Sequence, residues 1–125
     1  MLLSPHFSFE ELTKTSKPIS NHITDANNFF IMFNLARLCS LILEPLRIEL
    51  GKPIIINSGY RNRAVNQAVG GVNNSYHTKG LACDINTKSW TSLDFQKVSN
   101  WRLVNFDIVQ EYINHDSYIH IALRS

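Results

Sequence analysis

Between Asp25 and Leu50 the apolar residues Phe29, Phe33, Leu35, Leu38, Ile42, Leu46 and Leu50 recur at helical spacing. A helix of that length in a chain of 125 residues has to be the element on which the rest packs. Pro45 is expected to kink it, because proline lacks the N–H of the helical ladder, and Gly51 is expected to end it. The run "FFIMFNLARLCSLIL" is interrupted by Asn34, Arg37 and Ser40, so it falls short of the ~18 uninterrupted apolar residues of a bilayer span. No integral membrane segment is expected. A hydrophobic content of 44% is enough for one core, which predicts a single domain over residues 1–125.

The other elements follow from shorter patterns. "SFEEL" is a capping box, Ser8 with Glu11, opening a short helix over 9–14, and the segment after it reads as loop. "KPIIINSGY" is a β-branched run with the look of a central strand. "NRAVNQAVGG" predicts a short helix stopped by Gly70 and Gly71. "GLACDIN" predicts a strand with Ala82 and Asp84 on one face and Leu81, Cys83 and Ile85 on the other. Thr91 or Ser92 can cap a helix over "LDFQKVSNW" that buries Leu93, Val98 and Trp101. The tail "NFDIVQEYINHDSYIHIAL" reads as a β-hairpin turning at "NHDS". Together these predict an α+β fold, a small antiparallel sheet with helices packed on it.

Twelve basic against ten acidic residues, a formal charge of +2, is too mild for a nucleic-acid footprint, and none is expected as a partner. Cys39 and Cys83 do not make a disulfide framework and read as buried free thiols. The start "MLLSPHF" lacks the basic and apolar regions of a signal peptide.

His77 and Asp84 stand seven positions apart around a glycine-containing bend. In the hairpin, a two-residue loop at His115 and Asp116 would set Glu111 opposite His120 on one sheet face. A strand "GLACDI" beside that hairpin would bring Asp84, His120 and Glu111 together, with His77 supplied by the preceding loop. Two imidazoles and a carboxylate are the ligand types of catalytic zinc, which leaves one position to a water, and a spare carboxylate can serve as general base. The same residues also fit a loop histidine beside a strand-end aspartate held by backbone.

The stretch "SGYRNRAVNQAVGGVNNSYHTKGLACDI", followed late by "YIH", resembles the signature of zinc D-Ala-D-Ala carboxypeptidases and endopeptidases, which cut peptidoglycan stem peptides and share their fold with the Hedgehog signalling domain. "FSFEELTKTS" and "LEPLR" are similar to small phage-encoded members. The resemblance implies zinc held by His77, Asp84 and His120. It implies Arg61 as the group that binds a substrate carboxylate or steadies the developing oxyanion, and Ser75 as a substrate-side hydrogen-bonding residue. Tyr60, next to Arg61, could line the cleft. Many members carry the catalytic acid three residues before the last histidine, where this chain has Ser117; Glu111 is the favoured base and Asp116 the alternative. The implied function is a zinc metallopeptidase of peptidoglycan stem peptides, a carboxypeptidase or an endopeptidase, reaching the wall at lysis, through a partner or in a virion. The rival readings are a non-catalytic peptidoglycan-binding module and a virion structural module that keep the fold. A monomer is expected.

His115 reads as a solvated residue of the turn, His6 and His22 as surface, and Arg63 as a charge on a helix surface. Trp90 and Trp101 read as core or rim aromatics.

Overall fold

In the computed structural model, which describes residues 1–23 and 28–125, the chain is an α+β structure. A small N-terminal hairpin, β1 (Leu2–Ser4) and β2 (Phe7–Ser8), leads into α1 (Phe9–Thr13). The capping box is present: Ser8 and Glu11 each accept from the other's backbone N–H. The long rod follows as α2 (Asn28–Leu38), a π-helical segment Cys39–Leu43 and α3 (Glu44–Leu50). The expected start at Asp25 lies outside the described residues. The π segment is the form that the Pro45 distortion takes: the Glu44 N–H reaches back to the Cys39 carbonyl, which widens the turn just before the residue that has no N–H to give. Gly51, at φ 69°, closes the rod in the left-handed conformation that a side chain disfavours.

By length and composition alone Asn28–Leu50 could cross a bilayer, yet its apolar stripe is the protein core. Leu35, Leu38, Cys39, Ile42, Leu43 and Leu46 are completely buried against Ile85, Ile119 and Ile121 of the sheet and against Val98. Two expected members of that stripe are not in it. Phe29 and Phe33 are 75% and 53% exposed, stacked on each other near the start of the rod, with the Arg37 guanidinium over the Phe33 ring.

The main sheet has the order β3 (Ile56–Ser58), β4 (Ala82–Asn86), β6 (Tyr118–Leu123), β5 (Val109–Asn114), with each pair antiparallel. The "KPIIINSGY" run, expected as a central strand, is an edge strand of three residues. Its hydrogen-bonded register with β4 is already broken between Ile56 and Ser58. Apolarity there reflects Ile54 and Ile56 packing inward, while Ile55 faces solvent. The β4 alternation is as expected: Leu81, Cys83 and Ile85 enter the core and Asp84 points to the other side. Burial pushes the Cys39 thiol up to about 12, so both thiols are inert core atoms.

Between the strands lie α4 (Arg63–Ala68), capped by Asn62, a 3₁₀ turn Tyr76–Lys79, and α5 (Ser92–Val104) with a Thr91–Asp94 capping box. Val98 is buried as expected and Trp101 packs against the core, but Leu93 is 58% exposed. Asp94 takes the inner position instead, ion-paired to Lys52.

The hairpin turns one residue later than expected, which shifts its pairing register by two. His115 and Tyr118 still pair, so the loop is Asp116 and Ser117, and Glu111 stands opposite Ala122 while Ile113 stands opposite His120. The expected pairing of Glu111 with His120 is therefore displaced by two residues along the ladder. Because side chains alternate with period two, that displacement leaves Glu111 and His120 on the same face as diagonal neighbours.

Candidate active site

The β4–β6 register sets Asp84 directly opposite His120. His77 arrives from the 3₁₀ turn, whose first N–H groups are capped by Ser75: the His77 N–H donates to Ser75 Oγ at 3.2 Å. His77 Nε2, Asp84 Oδ1 and His120 Nδ1 converge, all within 4.8 Å of one another. Asp84 Oδ1 is 3.2 Å from His77 Nε2 and 3.1 Å from His120 Nδ1.

The protonation pattern around these atoms tests whether a metal fits. His77 Nδ1 is 2.7 Å from the Gly59 carbonyl oxygen, which can only accept, so Nδ1 carries the proton. In the neutral ring, Nε2 then aims a lone pair at the Asp84 carboxylate, an arrangement that a cation between them reconciles. His120 lies between two carboxylates, with Nδ1 on Asp84 and Nε2 at 2.8 Å from Glu111 Oε1. A neutral His120 donating Nε2–H to Glu111 likewise leaves Nδ1 as a lone pair facing inward. Two donors bound at ~2.0–2.1 Å in a tetrahedron lie roughly 3.3 Å apart, close to the two separations measured from Asp84 Oδ1. The donor set and its spacing fit zinc. Each of the three residues also has an outer partner, as metal ligands generally do: Gly59 for His77, Arg61 for Asp84, Glu111 for His120.

Charge is tightly coupled here. In the metal-free protein with both rings protonated, burial alone would raise the pKa of Asp84, but hydrogen bonds from His120 and His77 and the charge they bring outweigh it and hold the carboxyl well below the usual range. Burial alone would lower the pKa of His120. Its hydrogen bonds to Asp84 and Glu111 prevail and raise it above 6.5. In the metal-free protein the His120 charge thus adds stability that is fully present below the ordinary histidine pKa and is lost as pH rises through the raised value. A metal competes for the same nitrogen, so zinc added to metal-free protein at pH 6.5 is expected to displace a proton from His120. The release should fade at pH values above the raised pKa. Proton uptake by a dye in weakly buffered solution measures it, and a release independent of pH would contradict the coupling.

Arg61, expected to face substrate, is also tied to the protein. It lies along the cleft with its side chain 14% exposed, and it donates from Nε to Ser58 Oγ at 3.0 Å, from Nη1 to Asn66 Oδ1 at 3.4 Å and from Nη2 to Asp84 Oδ2 at 3.1 Å. Three of its five N–H groups are committed, which fixes the fork and leaves two for another ligand. Ser58 opens the stretch that carries the family resemblance, whereas Asn66 has no distinguishing sequence signal.

The cleft these residues line has a volume of about 300 Å³ and includes Ser75, Glu111, Ile113, His115 and Tyr118. His115, expected as a solvated turn residue, stacks on Tyr118 with ring centroids 4.3 Å apart and forms one wall. Asp116 is exposed on the turn and is not among the lining residues. Tyr60 is buried at 3% exposure and does not line this cleft either. Only Oε1 of Glu111 is engaged among the described residues, and its side chain is 38% exposed. His6, expected at the surface, stands there half exposed and pairs with an acid 38 residues away: Nδ1 lies 2.7 Å from Glu44.

The backbone that orients His77 is itself held by the N-terminal segment. Tyr60 N–H donates to the Leu12 carbonyl at 2.7 Å, and Asn21 bridges Thr13 O, Tyr60 O and the Asn62 N–H. The packing admits no side chain at Gly59, where a Cβ would lie 2.4 Å from the Leu12 carbonyl oxygen. Gly59→Ala is therefore expected to lower stability by about 1–3 kcal/mol, read from denaturant unfolding, and to weaken zinc binding through the displaced Gly59 carbonyl. Unchanged zinc affinity would mean that His77 needs no such support.

A family model described as peptidase M15 matches residues 5–122. A search of curated proteins finds no match.

Proposed function

The chain belongs to the peptidase M15 family, a family of hydrolases, and from that premise we propose that it is a zinc-dependent peptidase of bacterial peptidoglycan stem peptides. The observation that carries the reading is the convergence of His77 Nε2, Asp84 Oδ1 and His120 Nδ1, with the His77 proton committed to Gly59 on the far side of its ring.

In this reading His77, Asp84 and His120 hold the zinc. When bound, the ion supplies Lewis-acid polarisation of the scissile carbonyl and acidifies a water. Glu111, on the cleft face beside His120, takes the proton of the attacking water at its unengaged Oε2 and passes it to the departing amine. The two uncommitted N–H groups of Arg61 steady the negative charge that grows on the carbonyl oxygen. The His115–Tyr118 stack and Ile113 form a partly apolar wall against which a short peptide can lie. Protein action would take place at the cell wall, with no nucleic acid involved and the monomer as the working unit.

Purified protein incubated with peptidoglycan, with chelator and then with zinc restored, tests the proposal. New amine termini that appear only in the zinc-loaded samples support it. Binding to the wall without cleavage in any sample would favour a non-catalytic module instead.

A further inference from the structure

A second hollow, of about 720 Å³, runs alongside the metal cleft and shares Asn74 with it. Tyr60 and Ile31 lie at its apolar side, while Arg63, Gln67, Asn73 and Asn74 are exposed around it. The wall common to both depressions is built rather than loose. Asn66, 4% exposed, donates Nδ2 to the Val72 carbonyl at 2.9 Å and accepts the Gly71 N–H on its own carbonyl at 2.8 Å. A Cβ on Gly71 would lie 2.1 Å from Asn66 Oδ1, so the loop is seated directly on α4. Asn74, at φ 60°, then turns the chain into Ser75 and the 3₁₀ turn that carries His77. Asn66 also touches Arg61, so the same buried amide braces the hollow and the metal site.

The lining chemistry is one-sided. It holds one guanidinium, several carboxamides and, among the described residues, no carboxylate. Carboxamides both donate and accept, which suits peptide groups, and a guanidinium fork matches a carboxylate. We propose that this hollow is a substrate subsite for a carboxylate-bearing part of the peptide flanking the scissile bond, with the carboxylate on Arg63 and peptide groups on Gln67, Asn73 and Asn74. The proposal rests on the peptidase reading above and gives Arg63 a role beyond that of a helix-surface charge.

The test uses zinc-loaded protein and a set of stem-type peptides in which each free carboxylate is amidated in turn. For one position in the set, the wild type should prefer the carboxylate over the amide by roughly tenfold in kcat/KM, mainly through KM. Arg63→Glu should abolish or reverse that preference, and Asn73→Asp, a change elsewhere on the lining, should shift the ratio in the same direction. Both side chains are exposed, and zinc content reports that each variant keeps its site. Equal rates on every carboxylate and amide pair, or a preference untouched by both substitutions, would overturn the subsite while leaving the peptidase reading in place. Failure of the wild type to cut any peptide of the set would remove the peptidase reading and the subsite with it.

Discussion

Glu111→Gln is expected to keep zinc and fold while losing about 100-fold or more in turnover of a stem peptide, the usual scale for removing a general base. The substitution is informative because Glu111 stands in two relations at once. Oε1 accepts from His120 Nε2 at 2.8 Å, and a glutamine oxygen can do the same, so the tautomer that frees Nδ1 for the metal is preserved. Only the ability to take a proton is lost. Glu111→Ala removes both and should lower zinc affinity as well as rate. Asp116→Asn, on the exposed turn, should stay near wild type. Rates of the two isosteric variants on one substrate decide between the carboxylates, and the reverse ranking would transfer the role to Asp116. Full activity in both would leave the reaction without a protein base.

His77→Ala and His120→Ala should each reduce bound zinc from one ion per chain to a small fraction after exhaustive dialysis, as measured by elemental analysis. Two remaining ligands hold zinc far more weakly than three. Both variants should still fold, since the core lies on the other face of the sheet and consists of apolar side chains. Metal content equal to wild type in both variants would reject these histidines as ligands.

What the sequence allowed to be read depended on whether a local pattern decided it. Strand β4 alternates cleanly, so Asp84 was assigned to the non-core face from the sequence and stands there. The hairpin register was not local in this way: His115 and Asp116 suit a turn as well as Asp116 and Ser117 do, and pairing with β4 completes the choice. Phe29 and Phe33 satisfied the helical period, but periodicity says only that side chains share a face, not how far the sheet extends beneath it. The three isoleucines before Asn57 looked central because apolarity does not distinguish two covered faces from one. Least legible were groups that act through backbone. The Gly59 carbonyl, the Leu12 carbonyl and the Asn21 bridge carry no side-chain signature for a role at a histidine in the 3₁₀ turn.

The proposed ligands come from separate elements, and this sets an order of events during folding. His77 and His120 are 43 positions apart, with all of α5 between them, and Asp84 meets His120 only when β6 has joined β4. A small finger domain closes its ligands within a short loop, so that the ion can gather the chain. Here the chain must first close that long connection on the strength of its apolar residues. Zinc would then be a late arrival in a finished socket, and its concentration should change the unfolding rate of the loaded protein far more than the rate at which the chain folds.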